Sequence, residues 1–242
     1  MRASLIALTL LLPLGLSAAT VDGSRSFVVS EPSAGNAYFY GGDLSVGAPV
    51  SGDLMAAGGN VTVSAPVSGD ALLAGGSVDV RKPVSGDVRA FGGRITLDDT
   101  VGGDVVALGG SVSVASTPAF AWVGGVSVSF TNGAHGPVTI YGSAVTLAGT
   151  FDSDVDVVTS DRLTIADGTV IKGHLRYDAP QQVDIPTTAT IGSVIYTGKS
   201  FLPTTQEAQS FAVAGASIFF LVRILAAIIA AGLLAGLFPA LA

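Results

Sequence analysis

The sequence has no cysteine, few charged residues and almost no histidine or glutamate. The absence of cysteine excludes a disulfide framework, a thiolate zinc site and a cysteine nucleophile. The 11 Lys and Arg residues are scattered, so they provide no basic footprint for a nucleic-acid backbone. The only histidines are His135 and His174, and the only glutamates are Glu31 and Glu207, which leaves little material for a catalytic triad or a metal site. We therefore expect no enzymatic activity, no catalytic or metal-binding residues, no cofactor and no nucleic-acid partner.

Both ends of the chain are strongly apolar. Residues 1–19 contain one basic residue, then an apolar run, then small residues, which is the pattern of a cleaved secretory signal; an uncleaved anchor helix is the alternative. Residues 211–242 are apolar apart from one serine and one arginine, which predicts a membrane span, placed either at 224–241 or as a longer tilted helix. No basic residue follows this span, so we expect the chain to continue further or to have been cut there.

The signal and the span together predict the domain layout. Residues 20–38 are expected to form an N-terminal lead, acting as a cap or as a partner strand. Residues 39–198 form the repeat domain, and residues 199–210 form a polar linker to the span at 211–242. A signal sequence places the repeat domain outside the cytoplasm, anchored to the membrane at its C-terminal side.

A short repeat fills the middle of the chain, and two independent markers recur in the same phase at every seventeenth position. The first marker is a pair of glycines: Gly41-Gly42, Gly58-Gly59, Gly75-Gly76, Gly92-Gly93 and Gly109-Gly110. The second marker is an aspartate after a glycine: Asp53, Asp70, Asp87 and Asp104. Apolar residues recur in the same phase and are the expected core: Val61, Val63, Val67, Val78, Val80, Val84, Ile95, Leu97 and Val101.

Within each repeat the apolar and polar positions alternate, which predicts short strands with one face buried. Identical residue types at 17-residue intervals favour a β-solenoid, because the same position in successive coils is in contact. An up-and-down barrel also alternates, but it does not require this identity in register. The sequence therefore predicts an all-β fold of 17-residue coils, roughly nine in number.

The two markers have expected structural roles. The glycine pairs are predicted to be tight corners that need positive φ. Each aspartate is predicted to accept hydrogen bonds from backbone amides in its own Gly-Asp turn, and a ladder of calcium ions is the alternative. His174 falls in the aspartate column and is expected to replace the corner aspartate, whereas His135 stands alone.

Two further groups of charged residues each have a functional and a structural interpretation. A run of three aspartates, Asp152, Asp154 and Asp156, is the source of carboxylates for a polysaccharide-cleaving site, but it is better interpreted as one side of a strand. Four basic residues lie within two neighbouring coils: Arg81, Lys82, Arg89 and Arg94. They suggest either a weak anion-binding patch or charges that protect a strand-rich surface from aggregation.

The repeat resembles the bactofilin family of polymer-forming bacterial cytoskeletal proteins, in the units Val50-Ser51-Gly52-Asp53-Leu54, Val67-Ser68-Gly69-Asp70-Ala71 and Val84-Ser85-Gly86-Asp87-Val88. The resemblance implies a right-handed, three-faced β-helix that polymerises end to end without a nucleotide. This sequence departs from the family in its export signal, its membrane span and its larger number of coils. It looks closer to membrane-linked relatives of the cell envelope.

These observations lead to one main hypothesis and two alternatives. The main hypothesis is a structural protein of the bacterial cell envelope, anchored in the membrane, that associates with itself end to end or along its edges. Cell-wall polysaccharide and other envelope proteins are further expected partners. The alternatives are an adhesin or glycan-binding module that uses the irregular coils at residues 115–134, and a polysaccharide-cleaving enzyme that uses Asp154.

Overall fold

The computed structural model describes residues 26–198, which form strands and turns with no helix. Within this part of the chain no helix is present that has the length and apolarity needed to cross a membrane. The predicted signal, linker and membrane span lie outside the described residues. The described residues form two compact units that divide between Trp122 and Val123, which we call unit 1 and unit 2.

Unit 1 is built from strands that pair in parallel, each with the next along the chain. The strands are β1 (Ser26–Val29), β2 (Ala37–Val46), β3 (Leu54–Val63), β4 (Ala71–Val80), β5 (Val88–Leu97) and β6 (Asp104–Val114). Their register advances by one repeat from each strand to the next, so that Val61 lies beside Val78 and Val78 beside Ile95. Strand β1 lies in the predicted N-terminal lead and pairs with β2, so the coiling begins earlier than the repeat markers indicate.

Unit 2 continues the same architecture with less regular coils. Its strands are the second half of β7 (Phe120–Phe130), then β8 (Gly133–Ala134), β9 (Val138–Leu147), β10 (Thr150–Phe151), β11 (Val155–Ile165), β12 (Val170–Asp178) and β13 (Thr190–Tyr196). Strands β9, β11, β12 and β13 pair in parallel in that order, and the short strands β8 and β10 pair in line with the start of β12. The predicted all-β solenoid with 17-residue coils is therefore confirmed, with about ten coils rather than nine.

Each regular coil of unit 1 turns three inward-facing segments toward the core. In the coil of β3 the first segment is residues 54–57 and the second is residues 60–63, on either side of the glycine pair. The third contributes Val67, which bridges to Val50 and Val84 in the neighbouring coils. The nine residues expected in the core are all buried, each with 2% exposure or less: Val61, Val63, Val67, Val78, Val80, Val84, Ile95, Leu97 and Val101.

The glycine pairs do not have the conformation that the sequence suggested. Among the described residues, positive φ occurs only at Gly133, Gly149, Gly168 and Gly198, so the prediction of positive-φ corners is wrong for all five pairs. The pairs lie inside continuous strands, where successive coils approach closely. A Cβ at Gly58 would lie 2.6 Å from the carbonyl oxygen of Gly41, and a Cβ at Gly59 would lie 2.9 Å from that of Gly42. Glycine is needed here because a side chain would strike the backbone of the coil below.

Candidate interaction surface

The recurring aspartates form a ladder of hydrogen bonds along unit 1. The Oδ1 atom of Asp53 accepts a hydrogen bond from the backbone amide of Asp70 at 3.0 Å. Asp70 accepts in the same way from Asp87, and Asp87 from Asp104, both at 2.9 Å. Asn36 begins the ladder by accepting from the amide of Asp53 at 2.9 Å. The aspartates do accept backbone amides, but from the following coil rather than from their own turn, so that part of the prediction is wrong.

The glycine that precedes each aspartate belongs to the same ladder. A Cβ at Gly69 would collide with the carboxylate of Asp53, and it would lie 2.7 Å from the carbonyl carbon of Gly52. Gly86 stands in the same relation to Asp70, and Gly173 of unit 2 to Asp154. The glycine and the aspartate therefore interact across coils, because the carboxylate of one coil packs against the glycine of the next.

The carboxylates of the ladder are occupied by protein donors rather than gathered around a common point. Within residues 26–198, no group of three or more histidine, aspartate or glutamate side chains is arranged to hold a metal ion. Calcium requires six to eight oxygen ligands. The alternative of a calcium ladder therefore gains no support from the geometry.

Two of the four clustered basic residues are paired with aspartates of their own or the preceding coil. Arg81 forms an ion pair with Asp79. Arg89 lies 3.0 Å from a carboxylate oxygen of Asp87 and 3.8 Å from one of Asp70. These exposed ion pairs contribute little to stability, but they reduce the positive charge that an anionic ligand would meet.

An apolar surface covers the outside of the first segment of the coils in unit 1. Its members occupy the outward positions between buried residues such as Leu54 and Ala56, and each is between 37% and 49% exposed. We call this surface the outer apolar face, and its residues are Tyr38, Tyr40, Met55, Leu72, Phe91 and Leu108.

Strand register makes the outer apolar face continuous. Tyr38 lies beside Met55, and Met55 beside Leu72, in one column. A second column follows two residues later, in which Phe91 lies beside Leu108. Neighbouring strands are about 4.8 Å apart, so side chains in one column touch along the axis of the coils. Arg89 follows Leu72 in the first column, and Ala57 and Ala74 lie between Tyr40 and Phe91 in the second. The face is thus formed by two adjoining columns of mainly apolar residues that include one charge.

The other outward surfaces of unit 1 are different. From β3 to β6 the outward columns of the second segment are polar, with Asn60, Ser77, Arg94 and Ser111 in one column and Thr62, Asp79, Thr96 and Ser113 in the other. The exposed Val28 of β1 begins the second of these columns. The third segment places Pro66 and Ser68 on the surface beside buried Val67. Because contiguous exposed apolar patches commonly mark interaction sites, we take the outer apolar face as the candidate functional surface.

The outer apolar face is not among the features predicted above, although its signal is present in the sequence. Met55 and Leu72 stand two positions after the marker aspartates, and Phe91 and Leu108 stand immediately before the glycine pairs. In a strand with one buried face, both positions point outward. Apolar residues repeated at outward positions would have indicated a surface with a partner.

In unit 2 the three aspartates of the run contact lysine, arginine and histidine residues of neighbouring coils. Asp152 lies 2.7 Å from the Nζ atom of Lys172 and 3.0 Å from Nδ1 of His135. Asp154 accepts a hydrogen bond from the amide of His174 at 2.8 Å, which places His174 in the aspartate column as expected. His135 does not stand alone, since it contacts Asp152 in the next coil.

The environment of Asp152 lowers the pKa of its carboxyl group, through the hydrogen bond from Lys172 first and that from His135 second. A general acid of a glycosidase needs a raised pKa, so this shift is opposite to that role. Asp156, the third member of the run, lies 3.5 Å from Arg176. These ion pairs link neighbouring coils to one another, which is a structural role.

This lowered pKa predicts an acid-sensitive contribution to stability. An aspartate whose pKa is lower in the folded chain stabilises the fold above its unfolded pKa of about 3.9, and that contribution is lost as the pH falls through the folded value. We expect wild type to be modestly more stable than Asp152→Asn at pH 5–7, with the difference shrinking below about pH 4. Urea unfolding of both chains at pH 7, 5, 4 and 3 measures this, and an equal difference at pH 3 and pH 7 would contradict it.

Comparison with models of protein families, with curated proteins and with solved structures gives no match. The resemblance to bactofilins therefore remains an interpretation of the repeat units alone.

Proposed function

We propose that this chain is a structural protein of the bacterial cell envelope, which scaffolds the envelope by associating with itself. In this proposal the chain is a right-handed β-helix outside the cytoplasm, held by a C-terminal membrane helix. The observation that carries the proposal is the outer apolar face, because it offers a continuous apolar surface on a regular framework. The repeat units that resemble bactofilins support the same function.

The framework is suited to hold such a surface in place. Parallel strands hydrogen-bond between coils along unit 1, and the aspartate ladder adds a bond from each coil to the next. The core beneath the face is closely filled, with Leu54, Leu73 and Ala90 at 1% exposure or less. A surface fixed in this way loses little conformational entropy on association.

A second copy of the chain is a suitable partner for the outer apolar face. A second copy carries the same two columns, so two faces can pair about a twofold axis with each apolar column against another. Burying apolar area contributes roughly 25 cal/mol per Å² before the cost of association is subtracted. Arg89 lies in the column of Met55 and Leu72, and its pairing with Asp87 limits the charge that would have to be desolvated.

Loss of the outer apolar face is expected to weaken assembly. We predict that the double substitution Leu72→Thr with Phe91→Thr shifts the concentration for half-assembly of the full chain upward by tenfold or more, because it removes two apolar side chains from the contact. Threonine keeps the preference for strands, so the fold should be retained. Sedimentation velocity over a range of concentrations measures the shift, and electron microscopy shows the form of the assemblies.

The matched control lies on the polar outward surface of the same coils. Thr62→Ser with Thr96→Ser changes two half-buried outward residues and should leave assembly unchanged. A wild-type chain that stays monomeric at high concentration would refute self-association. Assembly that is equally strong in both double variants would show that another surface makes the contact.

The predicted anchoring can be tested separately. If residues 1–19 direct export and residues 211–242 span the membrane, a protease added to spheroplasts should digest the repeat domain while leaving cytoplasmic proteins intact. Protection of the repeat domain in spheroplasts, with digestion only after lysis, would place it in the cytoplasm and reject this part of the proposal.

A further inference from the structure

One coil of unit 2 lacks the strand that its neighbours have. Strand β11 pairs with β9 through Leu163 beside Val145 and Ile165 beside Leu147. On the opposite side of these residues runs the segment 181–186, which is not a strand. Strand β12 pairs only with the first half of β11, from Val155 to Val158. The second half of β11 therefore has a strand neighbour on one side only.

Register shows which residues should have completed the missing strand. Val158 pairs with Asp178 before this segment and Val170 pairs with Thr190 after it, so the difference in residue number between partners is the same in both places. The same offset puts Val183 opposite Leu163 and Ile185 opposite Ile165. It also puts Pro186 in the position that follows, opposite Ala166.

Pro186 removes a hydrogen bond that the other coils make at this point. In those coils the carbonyl of Leu147 accepts from the amide of Ala166 at 2.9 Å, and the carbonyl of Phe130 accepts from Ala148 at 2.8 Å. The equivalent carbonyl is that of Ile165, and its donor would be residue 186. Proline has no amide hydrogen, so this bond cannot form.

A buried tyrosine holds another amide of the same segment, at a place where that segment is not a strand. Tyr177 is 1% exposed and lies in register with Val157 of the preceding coil and with Tyr196 of the following coil. Its hydroxyl oxygen accepts a hydrogen bond from the amide of Val183 at 3.2 Å. Among the described residues, no backbone hydrogen bond joins residues 162–165 to residues 181–186. The segment thus runs beside β11 without pairing to it.

A groove of about 500 Å³ lies between these two segments. Its polar lining residues are Asp161, Arg162, Thr164, Gln181, Gln182 and Asp184. In a parallel ladder the amide and carbonyl of one residue point to the same neighbouring strand, and those of the next residue point to the other. Because Arg162 and Thr164 direct these groups toward β9, the groups of Leu163 and Ile165 point into the groove.

We propose that this groove binds an extended peptide segment of a partner protein, which adds a strand to the free edge of β11. Two amides and two carbonyls at strand spacing match a peptide backbone, which supplies donors and acceptors at the same interval. The free edge from Arg162 to Ile165 has room for about four residues, or about 13 Å of extended chain. Gln181 and Gln182 on the opposite wall can both donate and accept hydrogen bonds, which suits the other edge of the same peptide.

The test uses the full chain and a peptide with the sequence of residues 143–148, Ser-Ala-Val-Thr-Leu-Ala, which includes the natural neighbour of β11 on its other side. Hydrogen exchange followed by NMR reports the amides of Leu163 and Ile165. We expect both to exchange rapidly in the free chain and at least tenfold more slowly with saturating peptide. Two versions of the peptide, each N-methylated at alternate residues, block one edge or the other, and at least one should lose binding.

Substitution of the proline tests the cause of the open edge. Pro186→Ala restores the amide that would donate to the carbonyl of Ile165, so the segment should pair with β11, protect the amides of Leu163 and Ile165 without peptide and weaken peptide binding at least tenfold. Thr187→Ala, at the next and exposed position, is the matched control and should bind like wild type. Both amides already protected in the free wild-type chain would overturn the proposal.

Three other outcomes would also overturn it. Equal binding of the unmodified peptide and both methylated versions would show that the backbone makes no pairing. Protection by chitotetraose but not by the peptide would assign the groove to a saccharide. Protection that rises with protein concentration alone would assign it to a second copy of the chain. The first two outcomes do not bear on the outer apolar face, and the double variants of that face test the proposed function separately, so this proposal and the proposed function can fail independently.

Discussion

Replacing Val67 by aspartate is expected to lower the free energy of unfolding by at least about 4 kcal/mol, or to prevent folding. Val67 is fully buried and bridges Val50 and Val84 in the coils on either side. The substitution loses the burial of a valine, worth about 1.5–3 kcal/mol, and it also places a carboxylate where the apolar column provides no partner. Urea unfolding followed by far-ultraviolet circular dichroism measures the change.

The matched control is aspartate at an outward position of the same coil. Thr62 is half-buried on the second segment, beside Ser45 and Asp79. Thr62→Asp keeps its charge at the partly exposed surface. Repulsion from Asp79 costs about 1 kcal/mol in water and more where water is partly excluded, and Arg81, which is paired with Asp79, offsets part of it. If the two substitutions were equally tolerated, the assignment of inward and outward positions would be wrong.

Substitution of Gly86 by alanine is expected to cost about 2–3 kcal/mol, a large effect for one methyl group. A Cβ there would lie 2.8 Å from both the carbonyl carbon and the oxygen of Gly69, and it would collide with the carboxylate of Asp70. The backbone has little freedom to move away, because the amide of Gly86 donates to that same carbonyl at 3.1 Å. Relief requires separating two coils and weakening the aspartate ladder.

Gly35 offers the same chemical change without the collision. A Cβ at Gly35 would have no atom within 4 Å, and its φ is not positive. Gly35→Ala should therefore stabilise the chain by about 0.4–1 kcal/mol, because alanine restricts the unfolded chain more than glycine does. Opposite signs for the two substitutions in thermal unfolding would support a steric role for the glycines. A loss of similar size at both positions would point to a conformational role instead.

The glycine pairs illustrate where prediction from sequence stopped. Their 17-residue spacing is visible in the sequence, and it correctly marks one glycine pair in each coil. Positive φ does not explain the glycine pairs. They are explained by close contact between coils, and the local sequence does not reveal that Gly58 faces the carbonyl of Gly41 in the preceding coil. That distance exists only once two coils are in register. The prediction for the aspartates was wrong in the same way. The residue type correctly indicated that each carboxylate accepts a hydrogen bond from a backbone amide, but that amide belongs to the following coil.

The open edge in unit 2 had signals that the sequence alone could not combine. Pro186 is plainly a residue that breaks strand pairing, and the insertion near residues 178–182 is visible as a loss of period. Their joint effect depends on the register between Val158 and Asp178, which sets Pro186 opposite Ala166 and Val183 near the hydroxyl of Tyr177. Register of this kind is a property of paired strands.

The sequence by itself determined the class of fold, the length of the coil and the identity of the core. Stacked coils place equal positions in contact, so equal residue types at Val61, Val78 and Ile95 are required and can be counted without a structure. The tertiary structure alone decided which atoms meet between coils, which outward columns join into an apolar face, and which strand edge stays open. The physical reason is that those features depend on distances between residues 17 or 20 apart in the chain, which are fixed only when the coils stack.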